Sequence, residues 1–109
     1  MKFLVNNLDW EMDFEEGDKI HLNKGEVVYL GLTDYVNQKI SIRNGLSQQL
    51  TRSTVIHELC HCFLFSFGFN ADSYTEEAVC NLFGSHAEAI LSLTDRFLKE
   101  RMVEDADTK

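Results

Sequence analysis

The chain has 109 residues, enough for one small domain and too few for two. Hydrophobic residues make up 44% and aromatic residues 11%, an ordinary globular composition that can bury a modest core. The charge of −8, from 18 acidic and 10 basic residues with no Lys/Arg cluster, argues against the nucleic-acid backbone and against anionic membranes as partners.

The first half reads as strand and turn. "KFLVNNLDWEMDF" shows partial alternation, with Leu8, Trp10, Met12 and Phe14 on one side of a strand. "EEGDKIHLNKGE" is polar, carries two Gly and reads as a loop in which His21 is exposed. "EVVYLGLT" is a β-branched and aromatic strand, "DYVNQ" a turn, and "KISIRN" a strand in which Ile40 and Ile42 alternate with Lys39, Ser41 and Arg43. Three strands with short connections predict an antiparallel meander.

The second half reads as helix. Ser47 is placed to cap a helix from about 48 to 67, and Gly68 with Phe69 to close it. That helix is apolar nearly all round after Val55, which predicts burial. "SYTE" from Ser73 fits a capping box with Glu76. A long helix should follow from about Tyr74 to near Met102, loosened at Gly84 and broken or recapped at "LTD", residues 93–95. The acidic "VEDADTK", from about 103, reads as a frayed tail. A sheet followed by two helices gives a single α+β domain over 1–109.

Three cysteines, Cys60, Cys62 and Cys80, are an odd number, and "MKFLVNNLDW" lacks a secretory h-region. Both observations predict a reducing, cytoplasmic compartment. "CFLFSFGF" is too short to span a bilayer. Each cysteine reads first as a small buried hydrophobe.

The chemistry concentrates in His57-Glu58-Leu59-Cys60-His61. Residues four apart lie one helical turn apart on one face, so two imidazoles can address one metal ion. Zinc suits them, although manganese, nickel or cobalt can occupy such ligands. Glu58, rotated about 100° around the helix, is placed as a general base rather than a ligand. Two His and a Glu at these offsets arise by chance in well under about one in a hundred chains this short. The bland alternative makes His57 and His61 core or rim residues and turns Glu58 to solvent.

A catalytic zinc needs a third protein ligand. The extended metzincin pattern fails, because "CFLFSFGFNAD" follows His61. His86, His21, Glu76 and Glu77 remain as candidates. On the second helix Glu77, Asn81, Gly84 and Glu88 share one face, and Val79, Leu82, Phe83 and Ile90 lie mostly on the other. Amphipathicity slightly favours Glu76 as the inward carboxylate and leaves the choice open. His86 reads as helix packing, Glu88 as a solvated face or a hydrogen-bond acceptor for a ligand histidine, and Tyr74 as a weak candidate donor.

The stretch "GLTDYVNQKISIRNGLSQQLTRSTVIHELCHCFLFSFGF…YTEEAVCNLFGSH" resembles small ImmA/IrrE-type zinc metallopeptidases of the gluzincin-like HExxH kind, especially short versions from phages and mobile elements of Gram-positive bacteria. The resemblance runs from about Gly31 to Ile90. "TVIHELCH" is its most specific part. The second is Glu77-x-x-Cys80-Asn81-x-Phe83-Gly84, similar to the family's Glu-x-x-Ala-Asn-x-Phe-Ala, with Cys80 and Gly84 in place of Ala. The resemblance implies zinc held by His57, His61 and Glu77, with Glu58 as the base. It implies a three-stranded sheet on the active-site helix whose edge strand pairs with an extended peptide; "KISIR" is the expected edge. It further implies a zinc metalloendopeptidase acting on a protein or peptide, with a phage or mobile-element repressor as the candidate substrate.

A reading from another class is a catalytically silent, metal-binding interaction module, antirepressor-like, on the same scaffold. A third is a closed structural zinc site with Cys60 or Cys80 as fourth ligand. The sequence specifies no oligomeric state.

Overall fold

The computed structural model describes residues 1–16, 23–24, 27–69 and 75–107. His21, Ser73 and Tyr74 lie outside the described residues. The elements are β1 (Lys2–Val5), β2 (Leu8–Glu15), β3 (Asn23–Lys24), β4 (Val27–Val28), β5 (Gly31–Asp34), β6 (Lys39–Arg43), α1 (Gln48–Ser66) and α2 (Glu76–Asp107).

The class is α+β. The sheet, however, is four-stranded and mixed, in the order β1-β2-β6-β5, and not a three-stranded antiparallel meander. Two local features account for the difference. "KFLVNNLDWEMDF" folds back on itself at Asn6 and Asn7, whose φ angles are 48° and 66°. Two consecutive left-handed residues make the tight turn whose twist matches a hairpin, so Phe3 pairs with Trp10 and Val5 with Leu8. "EVVYLGLT" divides between β4, paired with β3, and β5, paired with β6.

The strand "KISIR" is central, not the edge. It pairs in parallel with β2 (Met12 with Ile40, Phe14 with Ile42) and antiparallel with β5 (Gly31 with Ile42, Thr33 with Ile40). Flanked on both sides, it buries Ile40, Ser41 and Ile42. The edge beside α1 is β5.

The core lies between this sheet and the helices. Trp10, Met12, Ile40 and Ile42 meet Val55, Leu59 and Cys62 of α1. The Ser47 hydroxyl accepts from the Leu50 amide at 3.2 Å and caps α1. At the other end the Gly68 amide donates to the Phe65 carbonyl and the Phe69 amide to the Leu64 carbonyl. With φ of +89° at Gly68, this is a Schellman closure. The Trp10 indole N–H and the Asn6 side-chain amide then bind Ser66, at its hydroxyl (3.0 Å) and its carbonyl (2.9 Å).

Helix α2 runs back along α1: Arg52 pairs with Asp95 at 2.6 Å, and Phe67 stacks on His86. It begins one residue after Thr75, whose hydroxyl accepts from the Ala78 amide at 3.1 Å. It continues unbroken through Gly84 and 93–95. The Thr94 hydroxyl is absorbed within the helix, donating to the Ile90 carbonyl at 2.8 Å rather than capping a new one. Ala78, Leu82, Ile90 and Phe97 form the buried stripe. Phe83, expected on the apolar side, is 53% exposed, and Cys80, expected in the core, is also exposed. Among the described residues no helix is long and apolar enough to cross a membrane.

Candidate functional site

Helix α1 does not bury all its faces. Thr54, Val55, Glu58, Leu59 and Cys62 turn inward, while His57 is exposed and His61 half-buried. The two imidazoles stand one turn apart with Nε2 to Nε2 at 3.2 Å. Two nitrogens on a tetrahedral zinc, each bonded at about 2.0–2.1 Å, lie about 3.3 Å apart. The pair therefore matches what one such ion requires of two imidazoles. The Tyr35 hydroxyl lies 3.4 Å from His61 Nδ1, and its ring stacks on Phe65 at 4.8 Å. This contact occupies the far nitrogen of His61 and directs Nε2 toward His57, the arrangement that orients ligand histidines.

Glu58 does not face solvent. It is 7% exposed and lies under β5. The Thr33 hydroxyl sits 2.8 Å from Glu58 Oε1 and 3.2 Å from the Glu58 carbonyl. Glu58 Oε2 is left 3.9 Å from His57 Nε2. Strand and helix touch so closely that a Cβ on Gly31 would fall 2.8 Å from Glu58 Cγ and 2.9 Å from Thr54 Cγ2. Only glycine fits there.

The other described candidates, Glu76, Glu77 and His86, do not group with the pair. Glu76 and Glu77 are exposed in the first turn of α2. Among the described residues no group of three or more His, Cys, Asp or Glu side chains is placed to hold a metal ion. The donor set thus suits an imidazole-binding ion at two positions, with the third not assembled. His86 packs, as expected, with its ring 4.3 Å from that of Phe67 and 5.7 Å from that of Phe63. Glu88 is exposed. Burial pushes the Cys62 thiol up to about 12, against the lowering effect of a hydrogen bond with Ser66. Burial raises the Cys60 thiol as well.

Gly31, Thr33 and Tyr35 are the site residues that sequence reasoning missed. One signal was available: a glycine inside a β-branched run marks a close backbone approach.

A groove of about 390 Å³ runs from Tyr29 and Leu30, past Gly31 and Leu50, to His57 and Glu58. A larger hollow of about 720 Å³ lies at the β1–β2 hairpin and contains none of the motif residues. The Arg43 amide donates to the Leu30 carbonyl, and Gly31 stands opposite Ile42. Antiparallel pairs alternate between bonded and non-bonded, so Gly31 and Thr33 direct their amide and carbonyl groups away from β6, toward the open edge. Among the described residues no strand pairs with that edge. No family model, no curated protein and no solved structure matches the chain.

Proposed function

We propose that the protein is a zinc-dependent metallopeptidase of the ImmA/IrrE kind that hydrolyses a peptide bond in a protein or peptide substrate. The observation that carries this reading is the His57–His61 pair at 3.2 Å beside a buried glutamate whose Oε2 lies 3.9 Å from His57 Nε2. His57 and His61 would hold the ion, and Glu77 would be the third ligand that the resemblance supplies. Zinc, when bound, supplies a Lewis acid for the scissile carbonyl and acidifies water near neutral pH. Glu58 Oε2 takes the proton of the attacking water and returns it to the leaving amine nitrogen. Oε1 stays with the Thr33 hydroxyl, so the carboxylate keeps one orientation through both transfers. The outward amide and carbonyl groups of Gly31 and Thr33 align an extended substrate. A phage or mobile-element repressor is the candidate substrate on the strength of the resemblance alone.

One observation favours a second reading. Only two metal-binding side chains come together among the described residues. A metal-bound but catalytically silent module that sequesters a partner needs no more than the scaffold. The experiment is metal analysis of wild type, Glu77→Ala and Glu76→Ala, together with cleavage of unfolded protein by zinc-loaded wild type and Glu58→Gln. About one zinc per chain, lost in Glu77→Ala and kept in Glu76→Ala and in Glu58→Gln, with cleavage by the zinc-loaded wild type lost in Glu58→Gln, supports the peptidase. Zinc retained with no Glu58-dependent cleavage supports the silent module.

A further inference from the structure

We infer that the site selects an extended peptide carrying a large apolar side chain, seated in the groove of Tyr29, Leu30 and Leu50. The inference deepens the peptidase reading and rests on it for the bond that is cut.

Single exposed apolar residues need no explanation, but contiguous ones do. Tyr29, Leu30 and Leu50 are 38%, 37% and 40% exposed, and all three line one groove. Its volume of about 390 Å³ falls within the roughly 300–1,000 Å³ of ligand pockets. The groove is continuous with the candidate site, because His57 and Glu58 line its other end.

Gly31 explains how a peptide side chain enters. Its outward amide and carbonyl form one rung with a strand laid along β5. The peptide residue opposite Gly31 turns its side chain to the same face of the sheet, which is the α1 face. On that face Gly31 carries no side chain, and its missing Cβ is the point at which strand and helix are closest. The open volume lies beside this contact, in the groove that Gly31 lines together with Leu50, Ser53 and Thr54 of the first half of α1. The residues before and after on the peptide point to the opposite face and meet no part of this groove. The predicted preference is for one apolar residue, flanking the bond brought to Glu58, with little selection at its immediate neighbours.

The test uses the metal-free full chain and end-blocked alanine-based nonapeptides whose central residue is Leu, Phe, Ala, Glu or Lys. Backbone amide shifts are followed by NMR. The Leu and Phe peptides should bind at least about tenfold more tightly than the Ala and Glu peptides. Shifts should concentrate at Gly31, Thr33 and Leu50. Leu50→Asn should abolish the preference while leaving the circular dichroism spectrum unchanged, and Leu50→Met should retain it. Equal affinities, shifts confined to other surfaces, a preference that survives Leu50→Asn, or no binding of any peptide at millimolar concentration would each overturn the inference. The two readings fail separately. Glu58-dependent cleavage without an apolar preference overturns only this inference, and an apolar preference without zinc or cleavage overturns only the peptidase.

Discussion

The Thr33 hydroxyl donates to Glu58 Oε1 across 2.8 Å and thereby ties the edge strand of the sheet to the motif helix. Glu58 is otherwise a carboxylate under a strand, and among the described residues this is the one side-chain hydroxyl that meets it. Thr33→Val keeps the shape and removes the donor. Leaving a buried acceptor without its partner costs about 1–3 kcal/mol. Urea unfolding should show that loss, and Thr33→Ser should recover most of it. Against Glu58→Gln, whose side chain needs the hydroxyl less, the penalty of Thr33→Val should shrink.

Gly31 is fixed by space. A methyl group there would sit 2.8 Å from Glu58 Cγ, so strand and helix would have to part. Gly31→Ala should destabilise by about 1–3 kcal/mol, the usual cost of overpacking. Glu58→Ala removes two of the three crowding atoms, Cγ and Oε2, and leaves Thr54 Cγ2 at 2.9 Å. The cost of Gly31→Ala should therefore be smaller, but not zero, in the Glu58→Ala background.

Zinc should stabilise the folded chain through His57 and His61. A ligand that binds only the native state adds about 2.7 kcal/mol at a hundredfold excess over its Kd. Thermal unfolding should shift upward with added zinc in wild type and not in His57→Ala or His61→Ala. Tyr35→Phe removes the hydroxyl that lies 3.4 Å from His61 Nδ1, and should weaken zinc binding about tenfold or more without abolishing it.

The cysteines should report the packing directly. Cys80 is exposed, Cys60 half-buried and Cys62 buried, so a thiol reagent should label them in that order, with Cys62 reacting only on unfolding. Burial also raises the folded thiol of Cys62 from 9.0 to about 12. A folded value above the unfolded one means that the native state holds its proton longer. Stability from this source is complete below the unfolded value of 9.0 and falls as pH rises toward 12. Lys39, raised chiefly by its hydrogen bond with Glu15, adds a loss of the same sign only above its ordinary 10.5. Between 9.0 and 10.5, among the described residues, the Cys62 thiol and the half-buried Cys60 thiol contribute this decline. Cys62→Ala should flatten most of it in unfolding measured against pH, although its starting stability is lower.

What was legible in the sequence was local. Ser47 and Gly68 mark the ends of α1 because capping involves neighbours three to five residues away. The His57–His61 spacing likewise needs only the helix to act. The Asn6–Asn7 hairpin escaped notice because Asn-Asn is a weaker signal than Asn-Gly, although asparagine tolerates the same left-handed region. The parallel pairing of β2 with β6 joins residues 28 apart and leaves no periodic trace (Met12 with Ile40, for example). The misplacing of Phe83 and Cys80 has a geometric cause. Hydropathy drew the apolar face through Val79, Leu82, Phe83 and Ile90; Leu82 and Ile90 are buried there with Ala78 and Phe97, whereas Phe83, about 100° round the helix from Leu82, and Cys80, about 160° round from it, are exposed. The Thr33–Glu58 contact spans 25 positions and depends on which strand forms the edge, a matter of topology.

The grip of Asn6 and Trp10 on Ser66 divides α1 into unequal halves. Its last turns are fastened to the β1–β2 hairpin and closed at Gly68, while among the described residues its first turn is held by the Ser47 cap and by the Thr51 hydroxyl on the Leu46 carbonyl. Local opening should therefore begin at Gln48 and fade before Leu59, with amide exchange slowing along the helix. His57 stands near that boundary and His61 on the fastened side, so breathing of the helix start would move one imidazole relative to the other. A bound ion that joined them would extend exchange protection backward along the helix, a signature independent of any cleavage.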